Sequence, residues 1–346
     1  MSRFVLQTVK SMLTLTAALL FTQSAWSFQA GWQQINIPGP GPQAPATAVA
    51  LYYPTQATAR AIPMGPFTPK MAINGAPEPT VKGLIVLSHG TGGSELGHSR
   101  LAEGLAQQGY LVAALRHPRD NWQDQSLLKD SPEAYFTERP RQVSRVLDAL
   151  LSDPQWKARI ARDANGPKVG AVGHSAGGYT VLALAGAEPD VARIARHCAV
   201  ERVADPIFCA TGGNNGQAMA ASATTPKPAA SLTDPRVRAV VALAPVGVVF
   251  TAQSLAQIRL PVVVYAAEKD RWLVARFHAD WIAQNLVGAQ PHHVPNAWHF
   301  AFMDTPSMPI PSADGDIRDD PPGFDRAAFL DRLSRELPAF FDGAFR

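Results

Sequence analysis

One stretch limits the fold more than any other. Pro167–Gly186 reads PKVGAVGHSAGGYTVLALAG. A short apolar run is followed by a glycine-flanked serine, then by a second apolar run of helical length. A buried strand that turns at once into a buried helix has this pattern. The turn must be tight, so the positions around Ser175 carry little side chain. A chain that folds this way needs a sheet edge on which the serine can stand.

The rest of the sequence supplies that sheet. ATAVALYYP, GLIVLSHGTGG, YLVAALRHP, VRAVVALAPVG and LPVVVYAAEKD are further apolar runs of strand length. Helical patterns lie between them. HSRLAEGLAQQG closes on Gly109, and RPRQVSRVLDALL has Pro140 near its start with Val143, Val146, Leu147 and Leu150 on one face. ARFHADWIAQNLVG is another helix, and the terminal DRAAFLDRLSRELPAFF places Phe329, Leu330, Leu333 and Leu337 together. Strands alternating with helices predict an α/β fold, a mostly parallel central sheet flanked by helices. The 346 residues suit one large domain.

Two segments fall outside the alternation. Residues 1–27 carry Arg3 and Lys10, a ten-residue apolar stretch (Met12–Phe21), and small residues at Ala25 and Ser27. They read as a signal peptide cut near Ser27, with residues 28–346 as the mature domain in the periplasm or outside the cell. Without them, 29 basic residues face 28 acidic ones. That balance, with no basic run, argues against a nucleic-acid partner. No later stretch is long and apolar enough to span a membrane. The second segment, residues 187–236, precedes the sixth strand and reads as a lid-like insertion or a surface decoration. It holds the only cysteines, Cys198 and Cys209, which in an exported protein are expected to pair.

A serine hydroxyl needs a base, and the base needs an orienting acid. In strand–turn–serine–helix proteins the order is serine, acid, histidine. PVVVYAAEKD ends on Asp270, and NAWHF offers His299 in a later loop. Glu268, two residues before Asp270, is the rival acid. His292 and His293 are expected in a strand, one inward and one outward. His89, His117 and His278 read as packing or surface residues. Developing negative charge on a substrate oxygen needs two N–H donors. Ala176, after the serine, offers one, and the SHGTGG loop offers Thr91, with Gly92 as the alternative. Trp272 and Trp298 read equally as walls of an apolar pocket or as core.

LSHGTGG, GHSAGG, AEKD and NAWHF together resemble the serine α/β-hydrolases related to platelet-activating-factor acetylhydrolases, cutinase-like polyester hydrolases and dienelactone hydrolases. The resemblance runs from about residue 46 onward and leaves the insertion unexplained. It implies Ser175, Asp270 and His299 as a triad, Thr91 and Ala176 as oxyanion donors, and no metal or organic cofactor. Dienelactone hydrolases carry cysteine where this chain has Ser175. The acetylhydrolases take their acid after the preceding strand, where this chain has Ala244-Pro245, so it looks closer to the cutinase-like enzymes. The function implied is an exported carboxylesterase acting on a small or lipid-like ester. The alternatives are an amidase, peptidase or phospholipase on the same triad, and a binding protein on a hydrolase scaffold. The sequence does not set the oligomeric state.

Overall fold

The structure, a computed structural model, describes residues 28–211 and 231–346. The signal-peptide reading and most of the low-complexity run in the insertion lie outside those residues. In chain order the main strands are β1 (Gln29–Ile37), β2 (Thr47–Thr55), β3 (Arg60–Ala61), β4 (Lys70–Ile73), β5 (Leu84–Ser88), β6 (Leu111–Arg116), β7 (Val169–His174), β8 (Val237–Leu243), β9 (Val262–Ala267) and β10 (Pro291–Val294). They form one sheet in the order β10-β9-β8-β7-β5-β6-β2-β1-β4-β3. From β10 to β6 every pairing is parallel, and β2 enters antiparallel to both β6 and β1.

The inner parallel strands β5, β6, β7, β8 and β9 are largely apolar because helices cover both faces. Among these helices are α1 (Ser99–Gln107), α2 (Pro132–Ser152), α3 (Ala176–Leu184), α4 (Ala192–Glu201), α5 (Pro206–Thr211), α6 (Ala279–Asn285) and α7 (Arg326–Ala344). On one face Val143, Val146, Leu147 and Leu150 of α2 join Tyr179 and Leu182 of α3 in a continuous core. On the other face α1 and α7 bring Leu101, Leu105, Phe329, Leu330, Leu333 and Leu337 together. Leu333 is fully buried, so Leu333→Ala removes roughly 2–5 kcal/mol.

Three readings of the sequence change. The strand β1 was not anticipated; it pairs along its whole length with β2. Pro140 lies in the interior of α2, not at its start. The helix begins earlier, where the Ser131 side chain caps the Ala134 N–H and Pro132 takes the first turn. Proline removes the N–H that would have met the Phe136 carbonyl. That carbonyl accepts instead from the Tyr179 hydroxyl of α3, so the interruption becomes a helix–helix tie. His292 and His293 are both exposed because β10 is a short edge strand, and His293 Nε2 meets Asp280 of α6 at 3.0 Å.

Cys198 and Cys209 form a disulfide between α4 and α5. The described part of the insertion is bound to the body. The Asp190 N–H donates to the Val249 carbonyl at 2.9 Å, and Arg193 Nε donates to the Val248 carbonyl at 3.1 Å. No helix among the described residues is long and apolar enough to cross a membrane.

Candidate active site

Ser175 sits between β7 and α3 with φ 57° and ψ −120°. Non-glycine residues rarely adopt that conformation, which costs of order 1–3 kcal/mol. Main-chain bonds on both sides hold it. The Ser175 N–H donates to the Leu243 carbonyl at 2.9 Å, and the Ser175 carbonyl accepts from Val246 at 3.1 Å and from Tyr179 at 3.2 Å. A Cβ on Gly177 would overlap the Ser88 carbonyl, so only glycine lets α3 approach β5 this closely. The Ser175 hydroxyl makes no capping bond to the helix it precedes, which leaves it for other chemistry.

The turn after β9 carries Asp270. One carboxylate oxygen accepts the N–H groups of Trp272 and Leu273, each at 2.8 Å. The other meets His299 Nδ1 at 2.7 Å. With that carboxylate as acceptor, Nδ1 carries the proton and Nε2 carries the lone pair. Both side chains are buried. Glu268 does not compete: it accepts the Asn296 N–H and closes the turn before the histidine loop.

His299 reaches the serine turn through His174. The His174 Nε2–H donates to the His299 carbonyl at 3.0 Å, and the two rings are 4.8 Å apart. Burial and the neighbouring His299 hold His174 well below the usual histidine pKa, so it stays neutral. Trp272 lies 6.2 Å from the His299 ring and nearly parallel to it, and Phe300 meets that ring edge-on at 5.1 Å. The Trp272 Nε1–H donates to Asp314. Trp298 points elsewhere, under the Arg271 guanidinium at 4.3 Å.

The loop after β5 lies against the serine. A Cβ on Gly90 would come within 3.0 Å of Ser175 Cβ. Gly92 is occupied: its N–H donates to Asp120 at 2.9 Å. Thr91 places its hydroxyl on Tyr135 at 2.7 Å, and its N–H has no partner among the described residues. Ala176 opens α3, where the first N–H groups have no partner within the helix. Of the two candidates in this loop, the Gly92 N–H is therefore engaged and the Thr91 N–H is not.

Sequence reasoning missed the support beneath this loop. Arg139 and Asp120 are both fully buried and form an ion pair. Arg139 also donates to the His89 carbonyl and, at 3.1 Å, to the Thr180 hydroxyl. One guanidinium thus joins the loop after β5, α2 and α3. His89 is held in one tautomer, with Nδ1–H on the Gly90 carbonyl at 2.6 Å and Nε2 accepting from the His117 N–H at 3.1 Å. Burial, with Arg139 nearby, lowers its pKa to about 4. An arginine beside a proline in a helical pattern gives no sign of this role, since both residue types are usually at the surface.

No family model matches the chain. It is similar to two curated proteins of Thermobifida alba, cutinase est1 and cutinase est2, each 31% identical over 109 residues. That stretch is 32% of this chain and 32% of either relative, so the match spans about a third of their length. A ferulic acid esterase from Streptomyces cinnamoneus superposes over 92% of this chain and 91% of its own, with TM-score 0.61 and 22% identity. The chain is an α/β-hydrolase in fold. A dienelactone hydrolase from Anabaena variabilis agrees in fold, with TM-score 0.50 and 13% identity over 92% of this chain and all of the other. The expected sheet and helix layers are thereby borne out.

His197, Cys198 and Cys209 bring metal-ligand residue types close together. Both thiols there are spent in the disulfide.

Proposed function

We propose that this chain is an exported serine carboxylesterase. The observation that carries the reading is the 2.7 Å contact between Asp270 and His299 Nδ1, beside a serine held in a strained turn. Asp270 fixes the imidazole so that Nε2 is the base. Nε2 takes the proton of Ser175 as the hydroxyl attacks an ester carbonyl. The tetrahedral oxyanion is held by the N–H groups of Thr91 and Ala176, and loss of one such donor typically costs on the order of 3 kcal/mol. His299 then returns the proton to the leaving alcohol. Water, activated by the same nitrogen, releases the acid from Ser175.

The partial likeness to two cutinases and the disulfide support an ester hydrolase working outside the cytoplasm. The aromatic faces of Trp272 and Phe300 beside His299 favour an apolar acyl or alcohol group. The test is hydrolysis of p-nitrophenyl acetate with fluorophosphonate labelling. The native protein is expected to do both, and Ser175→Ala neither. Full activity in Ser175→Ala overturns the reading. Recovery of the mature protein in the periplasm or medium, with an N-terminus near Phe28, tests export.

A further inference from the structure

Beside this site lies a polar cavity that the proposed reaction does not use. It is an open depression of about 290 Å³ between the ends of β1, β2 and β6 and the loop that follows β6. The register explains why it exists. Asn36 of β1 faces Ala48 of β2, and Ala48 faces Arg116 of β6. A single methyl between two long polar side chains leaves a dip in the sheet, and Gln34, two residues from Asn36, extends the same face. The loop after β6 closes the far side with Arg119 and Gln123.

The chemistry of the lining is specific. Both guanidinium groups are already neutralised, Arg116 by Glu95 at 2.6 Å and Arg119 by Asp130 at 2.8 Å. An anion would find no uncompensated charge. What remains are the Asp124 carboxylate, which accepts the Ser126 N–H at 2.9 Å, the amides of Gln34 and Asn36, exposed and without a side-chain partner among the described residues, and the Gln123 amide nitrogen, whose oxygen takes Arg116. These groups offer donors and acceptors together, as a neutral, hydroxyl-rich ligand requires. The same loop presents Trp122, 61% exposed, the most exposed aromatic large enough to stack on a sugar ring. Its main-chain N–H donates to the Gly93 carbonyl at 3.1 Å, which ties this loop to the loop that borders Ser175.

The cavity also lies on the catalytic edge. Gly173, two residues before the serine, is in register with Ser88 of β5, and Ser88 with Leu115 of β6. Two to four strand spacings, about 10–19 Å, separate β7 from the strands that line it. We infer that this cavity, with Trp122 standing between the lining residues Asn121 and Gln123, is a saccharide subsite that holds the remote end of an ester carried on an oligosaccharide. The inference rests on the proposed esterase reading for its catalytic consequence, and on the cavity alone for binding.

Two measurements separate these. In calorimetry, Ser175→Ala protein is titrated with ester-free xylo-oligosaccharide and with cello-oligosaccharide. Binding is expected for at least one, and its loss in Ser175→Ala combined with Trp122→Ala or Asn36→Ala. In kinetics, acetylated xylo-oligosaccharide is compared with p-nitrophenyl acetate. Trp122→Ala and Gln34→Ala are each expected to lower the ratio of their kcat/KM values about tenfold, as loss of one or two good contacts does. Absence of binding to both sugars, or equal losses on both esters, overturns the subsite. Sugar binding without hydrolysis of p-nitrophenyl acetate by the native protein overturns the esterase reading and leaves the subsite standing.

Discussion

Among the described residues two buried carboxylates hold histidines, and they do so in different ways. Asp270 holds His299 by Nδ1, and the opposite nitrogen has no hydrogen-bond partner among the described residues. Asp205, in the turn between α4 and α5, holds two imidazoles on one oxygen, His197 at 2.9 Å and His278 at 3.0 Å. His278 has no nitrogen to spare, since its Nδ1 accepts the Gly247 N–H at 3.1 Å. Gly247 follows Val246, whose N–H holds the Ser175 carbonyl. Asp205 therefore braces the insertion against the strand end that supports the serine turn. With both ring nitrogens engaged, His278 cannot act as a base, and its pair with Asp205 is a strut.

The comparison can be broken first at the histidines. His299→Ala is expected to lower kcat on p-nitrophenyl acetate on the order of 10⁶-fold, as loss of a general base does in such triads. His278→Ala should leave kcat within about tenfold, because His278 is not a proton acceptor in the reaction. Comparable losses in both would sink the distinction.

The carboxylates give the next largest contrast. Asp270→Asn, which keeps the shape and removes the acceptor for Nδ1–H, should cost roughly 10⁴ in kcat. Asp205→Asn should instead appear in urea unfolding, lowering stability by about 2–3 kcal/mol as two buried imidazoles lose a charged partner. The disulfide supports the same strut. Cys198→Ser with Cys209→Ser is expected to lower stability by about 3 kcal/mol in the chain-entropy model, with the unfolding midpoint as readout.

The smallest effect sharpens the comparison by setting both pairs against the histidines without a carboxylate partner. Burial lowers His98 to about 3 and His89 to about 4, and holds His117 and His174 well below their ordinary value of 6.5. The unfolded chain then binds more protons than the native one between about pH 4 and 6.5, so stability falls as pH drops through that window. Burial pushes two carboxyls the other way, Asp304 to about 7 and Glu103 to about 8. Above pH 6.5 only these two remain, and stability falls as pH rises toward 8. Unfolding free energies at pH 5, 6.5 and 8 should therefore peak at the middle value, and a monotonic trend would contradict the assignment.

Much of the site was legible in the sequence because its parts are local. The serine turn needs glycine, apolar strand and apolar helix as neighbours along the chain, and Pro167–Gly186 supplies all three. Asp270 and His299 each close a strand, so their order could be read. The choice of Asp270 over Glu268 could not be, because it depends on which side of a turn each carboxylate faces. The same holds for Thr91 over Gly92, which is decided by Asp120, 28 residues away.

Sequence alone therefore determined the sheet of apolar strands, the pairing of the two cysteines, and three candidate residues in the expected order. Tertiary structure decided which nitrogen each histidine keeps free, that a buried Arg139–Asp120 pair supports the loop beside the serine, and that the described part of the insertion is braced to the body. The physical reason is one of range. Periodicity and turn chemistry act between residues a few positions apart, whereas hydrogen-bond saturation depends on partners brought together by packing, and residue type does not reveal which ones those are.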